Sequence, residues 1–244
     1  MILRNHKNTK FALALTLAAA SLCCFSISAQ ADDTTGNGDI PSNSARLGLY
    51  YVHYDASAAD ISGPFTPSGI NLKVDDVSTL YFAYVRRLSS HWSLEFAAGL
   101  PPKAKTVGSG PATVGSVPFN GQEVATAKWL SPSVLAEYSF FDESSTWRPY
   151  VGLGVNYTKF YDRDSTAAGD AANGGPTSIR LSSSVGPAGT LGVSYKIKHD
   201  WNVYASYSLA RVDSNYVSNT SGIERTTNIH FNPSALVVAV GYSF

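Results

Sequence analysis

Residues 92–100 read Trp-Ser-Leu-Glu-Phe-Ala-Ala-Gly-Leu. Trp92, Leu94, Phe96, Ala98 and Leu100 are apolar, while the interleaved Ser93, Glu95, Ala97 and Gly99 are small or polar. A period of two puts alternate side chains on opposite faces of a strand. The same split returns in residues 150–158, where Val151, Leu153, Val155 and Tyr157 alternate with Gly152, Gly154, Asn156 and Thr158. It recurs in residues 185–196, with Val185, Leu191, Val193 and Tyr195 set against Ser184, Thr190, Gly192, Ser194 and Lys196. Residues 201–209 follow the pattern, and residues 236–244 place Leu236, Val238, Val240, Tyr242 and Phe244 on one face.

Extending outward from these stretches gives eight strands, near residues 45–55, 78–88, 91–101, 128–141, 147–160, 180–197, 200–212 and 231–244. An even number permits a closed antiparallel barrel. The connections alternate in length. Long ones span 56–77, 102–127, 161–179 and 213–230, and short ones fall at 88–90, 142–146 and 198–200. Long loops at one end and short turns at the other are the pattern of outer-membrane barrels, whose short turns face the periplasm. A soluble sandwich has no need of that regularity. The fold expected is all-β, an eight-stranded antiparallel transmembrane barrel, and closure leaves no free edge to pair, so a monomer is expected.

Composition agrees with this reading. The 244 residues carry 18 basic and 18 acidic groups, and charged residues are 15% of the chain, against roughly 25% in average soluble proteins. That balance offers no bulk field for nucleic acid. The one long apolar run lies at the extreme N-terminus, which excludes a helical integral membrane protein. Residues 1–31 have the parts of a cleaved secretory signal: Arg4, Lys7 and Lys10, an apolar run from Phe11 to about Ile27, then Ala29-Gln30-Ala31. Cleavage before Asp32 leaves a barrel over 32–244. Loss of the three basic groups leaves 15 against 18, a net charge of −3. Both cysteines, Cys23 and Cys24, leave with the signal, so the mature chain has no disulfide and no thiol.

Aromatic placement is a second line of argument, because aromatic girdles lie where hydrocarbon meets head groups. Trp92, Trp147 and Trp201 each fall within a residue or two of a short turn, and Phe140, Tyr242 and Phe244 join them in one ring. Trp129, Tyr157 and Phe160 lie about ten residues away, a strand's crossing of a tilted bilayer, and are expected to form the other ring. The opposite faces point into a narrow lumen. Tyr81, Glu95, Ala97, Leu135, Glu137, Asn156, Ala188 and Tyr204 are expected to line it, with Glu95 and Glu137 paired to Arg87, Arg148 or Lys196 rather than left alone in a confined space.

The chain resembles the OmpW family of bacterial outer-membrane proteins. Arg148-Pro-Tyr-Val-Gly-Leu-Gly-Val-Asn-Tyr-Thr-Lys-Phe160 is very close to that family's RPYVGxGxNYTxF segment. Support comes from Trp129-Leu-Ser-Pro-Ser-Val-Leu-Ala-Glu-Tyr138, Gly192-Val-Ser-Tyr195 with Asp200-Trp201, and the closing Val240-Gly-Tyr-Ser-Phe244. The similarity runs from about Ala45 to Phe244, and loops 56–77, 102–127 and 161–179 depart most. The resemblance implies a narrow, largely hydrophobic channel that passes small hydrophobic molecules and releases them sideways into the membrane. It also implies a terminal aromatic, Phe244, read by the barrel-assembly machinery. Lipid and lipopolysaccharide of the outer membrane are the expected surroundings. Pro132, Pro187 and Pro233 fall inside strand patterns, where a missing donor favours an edge or bulge. Pro132 and Pro187 are therefore candidates for a lateral opening. The alternative reading is a structural, adhesion or stress-response barrel that acts through its loops.

No catalytic residue, metal or cofactor is expected. His91, Ser93 and Glu95 have the residue types of a hydrolytic relay, but their place after a short turn puts them at the periplasmic rim, away from the outer leaflet. His53, His199 and His230 lack metal-ligand spacing. Gly152-Leu-Gly154 lacks the helix that a phosphate-binding loop requires. Asp162, Asp164 and Asp170 read as solvated loop carboxylates.

Overall fold

A computed structural model of the chain describes residues 42–114, 117–198 and 200–244. The signal segment 1–31 lies outside them. The strands, in chain order, are β1 (Asn43–Tyr54), β2 (Ser57–Ala58), β3 (Asn71–Val74), β4 (Val77–Arg87), β5 (Trp92–Gly99), β6 (Lys103–Ser109), β7 (Thr113–Val114), β8 (Val117–Pro118) and β9 (Glu123–Leu130). They continue with β10 (Ser133–Ser139), β11 (Trp147–Ser165), β12 (Thr177–Leu181), β13 (Ser184–Lys198), β14 (Trp201–Ala210), β15 (Asp213–Thr220), β16 (Ile223–His230) and β17 (Pro233–Ser243). One helical segment, α1 (Ala167–Asn173), is capped by Thr166 at its N-terminus and Gly174 at its C-terminus.

Eight of these strands form a closed antiparallel barrel in the order β1-β4-β5-β10-β11-β13-β14-β17, with β17 returning to β1. The turns 88–91 and 140–146 lie at the end that also holds Asn43 and Phe244, which exchange backbone hydrogen bonds of 3.1 and 2.8 Å. The outer face is apolar: Leu47, Leu49, Phe82, Phe96, Leu153, Leu191, Leu236 and Val238 are all exposed. The alternation that places them there also packs the small residues inside. At Gly154 a Cβ would lie 1.8 Å from the Val134 carbonyl, so glycine is what allows β10 and β11 to approach.

The long connections are not irregular. Above the barrel they make a second tier in the order β3-β6-β9-β11-β12-β15-β16-β2. β11 spans both tiers with 19 residues, about 60 Å at the rise of a strand. Two of the expected strands are therefore pairs. The stretch 128–141 breaks at Ser131-Pro132 into the end of β9 and β10, and 180–197 breaks at Ser182-Ser183 into β12 and β13. Polar, Thr-, Ser- and Asn-rich sequence hides the upper strands, because their outer faces meet water rather than lipid.

Candidate functional site

The base of the barrel is filled by a buried ionic cluster. Arg46 on β1 pairs with Glu95 on β5, and its Nη2 lies 3.2 Å from Glu137 on β10. Glu137 is 1% exposed. The Arg46 guanidinium carbon lies 4.1 Å from the Tyr204 ring centroid and 5.5 Å from that of Tyr150, a geometry that adds cation–π attraction in a buried site. Tyr81 Oη donates to Glu95 at 3.0 Å, and Ser93 Oγ donates to Glu137 at 3.3 Å. The expected partners of the two glutamates are thus corrected. Arg87 faces Glu143 at 3.3 Å, Arg148 donates to the Ser90 carbonyl at 2.6 Å, and Lys196 is exposed. These groups lie at turn level, below the height at which the glutamates project inward. Arg46 is absent from the expected lumen set although its signal is present in the sequence: it alternates with Ala45, Leu47, Leu49 and Tyr51 and so shares a face with Gly48 and Tyr50.

Above this plug lies a cavity of about 160 Å³, whose wall includes Tyr81, Glu95, Ala97, Leu135, Asn156 and Ala188. A dry apolar cavity of about 150 Å³ can hold a benzene-sized molecule. Glu137 and Tyr204 point inward at the plug itself. At the top, rings from both tiers converge. Tyr54 packs edge-on against Trp129 with centroids 5.6 Å apart and against Phe231 at 6.3 Å, and Phe160 lies 5.2 Å from Phe231.

This placement corrects two girdle assignments. Trp129 and Phe160 are each 7% exposed and belong to the interior cluster. β11 carries Phe160 on the inward face with Thr158, and β9 carries Trp129 inward while Leu130 points out. Tyr157 points outward at that level. Trp92, Trp147, Trp201, Tyr242 and Phe244 are exposed at the turn end. Each tryptophan packs on a neighbouring tyrosine: Trp92 on Tyr138, Trp147 on Tyr195 and Trp201 on Tyr242, with centroids 4.5–5.1 Å apart.

The wall of the cavity has a seam. β5 and β10 pair up to Ala97↔Ser133, and β6 and β9 resume at Lys103↔Lys128. Residues 98–102, which include Pro101 and Pro102, have no ladder partner across to residues 129–132. On its other side the same segment is stitched to β11. Tyr157 N donates to the Pro132 carbonyl at 2.9 Å. Asn156 Nδ2 lies 2.9 Å from Ser131 Oγ, 3.0 Å from Ser133 Oγ and 3.2 Å from the Pro132 carbonyl. Ser131 Oγ is 2.6 Å from Thr158 Oγ1. Pro187 is different. The β11–β13 ladder runs unbroken through Val155↔Pro187, and Arg211 N donates to the Pro187 carbonyl at 3.0 Å. The nitrogen of Pro187 faces the end of β14, where a missing donor breaks nothing, so Pro187 makes no opening.

The hydrolytic relay does not assemble. His91 Nδ1 lies 3.0 Å from the Ser139 carbonyl, Ser93 bonds Glu137, and Glu95 is held by Arg46. In the third loop Asp162 pairs with Lys128 at 3.1 Å and Asp170 accepts from Thr177 N at 3.0 Å.

A closed eight-stranded barrel with an apolar outer belt, short turns at one end and a structured tier at the other is a bacterial outer-membrane β-barrel. The chain belongs to the OmpW family, whose model matches residues 43–244. It is 35% identical over 122 residues to outer membrane protein W of Salmonella typhimurium, covering 50% of this chain and 57% of that one. The matched region thus spans a little over half the length of this curated relative. The chain is also 27% identical over 118 residues to the dibenzothiophene metabolism operon protein PahQ of Pseudomonas aeruginosa, covering 48% of this chain and 52% of that protein. In structure it resembles the outer membrane protein OprG from Pseudomonas aeruginosa, with a TM-score of 0.75 at 25% identity over 84% of this chain and 96% of that one.

Proposed function

We propose that the protein is a passive channel through which small apolar solutes enter the upper tier, occupy the cavity above Arg46 and leave sideways through the seam into the membrane. One observation carries this reading: an apolar cavity closed beneath by a buried ion cluster and flanked by a stretch of wall without a hydrogen-bond ladder. A solute that reaches Leu135 meets charge below it and an unpaired wall segment beside it. The relative whose name places it in a dibenzothiophene metabolism operon fits a fused-ring, apolar cargo. No catalytic step is assigned, because His91, Ser93 and Glu95 are engaged with separate partners. Residues 1–31 are taken as the export signal, the closing strand ending in Phe244 as the segment met by the barrel-assembly machinery, and the barrel as a monomer.

The test closes the seam. Continuing the register of Ala97↔Ser133 sets Leu100 opposite Leu130, and both point outward. With Cys23 and Cys24 removed, Leu100→Cys and Leu130→Cys are the only thiols. Joined by a short thiol-cleavable crosslinker in liposomes, they should abolish uptake of an apolar aromatic solute, and reduction should restore it. Undiminished uptake by the crosslinked protein refutes lateral release. Absence of uptake before crosslinking refutes the channel and leaves a barrel that acts through its loops.

A further inference from the structure

Three lysines meet on the outer surface of the wall just above the apolar belt. Lys103 on β6 is directly opposite Lys128 on β9. Lys128 is opposite Tyr161 on β11, and Lys159 lies two residues from Tyr161 on the same face, diagonal to Lys128. All three side chains point away from the lumen, since their neighbours Ala104, Trp129 and Phe160 are buried. Like charges directly opposite on an antiparallel pair are destabilising, and side chains at diagonal positions remain within reach of one another. A single carboxylate answers them: Asp162 lies 3.1 Å from Lys128. Among the described residues neither Lys103 nor Lys159 has a carboxylate within ion-pair distance. The other acids of this wall lie higher or are engaged elsewhere: Asp76 accepts from Tyr51 Oη and lies 2.9 Å from His53 Nδ1. Asp75 N donates to the Lys105 carbonyl at 3.1 Å, Glu123 holds Lys105 at 2.8 Å, and Asp164 is opposite Thr126.

Below the lysines the surface changes at once. Leu130, Tyr157, Val155 and Leu100 are exposed and apolar. A ligand that satisfies both parts carries concentrated negative charge at one end and hydrocarbon at the other. Lysine ammonium groups bind phosphate as point charges and need no planar geometry, and basic groups near a membrane surface attract anionic lipid.

We propose that Lys103, Lys128 and Lys159 form a binding site for the phosphate of an acylated glycolipid of the outer leaflet, its acyl chains lying along Leu130, Val155 and Tyr157. The site does not depend on the channel reading. It needs only the membrane orientation in which the long-loop tier faces outward. Asp162 tunes the site by neutralising Lys128.

The test uses the full barrel in phosphatidylcholine nanodiscs doped with lipid A, and reads protein-bound lipid A by native mass spectrometry. Lys103→Gln/Lys128→Gln/Lys159→Gln should lower bound lipid A by about tenfold or more. Lys196→Gln/Lys198→Gln, at the opposite end of the barrel, should leave it unchanged. Asp162→Asn should raise it, and excess inorganic phosphate should not displace it. Folding of each variant is checked by heat-modifiable gel mobility, and if the triple variant does not fold, Asp162→Asn decides. Unchanged binding in the triple variant, or in Asp162→Asn where that variant decides, overturns the site. An equal loss in the Lys196/Lys198 control shows bulk charge attraction instead. Displacement by inorganic phosphate shows a soluble-anion site and overturns the lipid assignment.

Discussion

Arg46 is one positive charge held between two carboxylates, with tyrosine rings on its faces, and all three charged residues are buried. Removing one partner of a buried ion cluster costs about 3–5 kcal/mol, because the remaining charges keep their desolvation penalty without compensation. Arg46→Met should therefore destabilise the barrel by about that amount. Glu137→Gln, which leaves a one-to-one pair with Glu95, should cost less. Urea unfolding in detergent micelles orders the two variants, and the reverse order would contradict the central place given to Arg46. A second residue-scale expectation concerns the outer tier. Asp213 accepts from His230 at 2.6 Å and from Arg211 Nε at 2.8 Å, and these bonds, His230 first, hold its carboxyl below the usual range. A carboxylate with a depressed folded-state value contributes stability that is complete above the ordinary carboxylate range and is lost as pH falls through the lowered value. The pair is exposed, so the contribution stays under about 1 kcal/mol. Asp213→Asn should flatten the acid limb of amide-exchange protection in β15 and β16 and leave neutral-pH protection of the barrel strands unchanged.

At the scale of elements, the ladder between β10 and β11 borders the seam on its other side, and it includes one close contact. Gly154→Ala puts a methyl group where the Val134 carbonyl lies 1.8 Å away, an overpacking that costs about 1–3 kcal/mol. Gly189→Ala, whose nearest neighbour would be 3.4 Å away, should be close to neutral. The temperature at which each variant loses its folded gel mobility checks the contrast. These elements also show what can be read from sequence. The lipid-facing alternation in residues 92–100, 150–158 and 236–244 survives to the letter in β5, β11 and β17, because a half-buried strand in hydrocarbon tolerates no polar outer residue. The upper tier is not legible in the same way: residues 213–230 are mostly polar on both faces, with Tyr216 and Ile229 the buried apolar members, and water outside asks nothing of the outer face. At Trp129 residue type and phase disagree. Counted back from Leu135 and Glu137, residue 129 falls on the inward face, and the preference of tryptophan for interfaces concealed that parity. Pro101 and Pro102 end a strand pattern, whereas Pro132 interrupts one, so the sequence alone marks Pro132 and not the segment across the seam.

For the molecule as a whole, the two tiers differ in what fills the lumen. The upper tier encloses an apolar core that runs from Ile229 and Tyr216 down to Leu135, and the lower tier closes on Arg46, Glu95 and Glu137. On the proposed route an apolar solute turns aside at the seam and never meets the plug, whereas an ion crossing from end to end has to pass it. The two fluxes should therefore separate by mutation. In planar bilayers the native protein should conduct little, and Arg46→Ala/Glu95→Ala/Glu137→Ala, which removes every charged member of the cluster together and leaves no buried charge in the plug, should raise conductance several-fold. Apolar uptake by that variant should stay close to native, since its route lies above the change. The crosslinked Leu100→Cys/Leu130→Cys protein should do the opposite, losing uptake at unchanged conductance. If emptying the plug raises uptake and conductance together, solute and ions share one axial path, and the seam is a structural feature of the wall with no part in release.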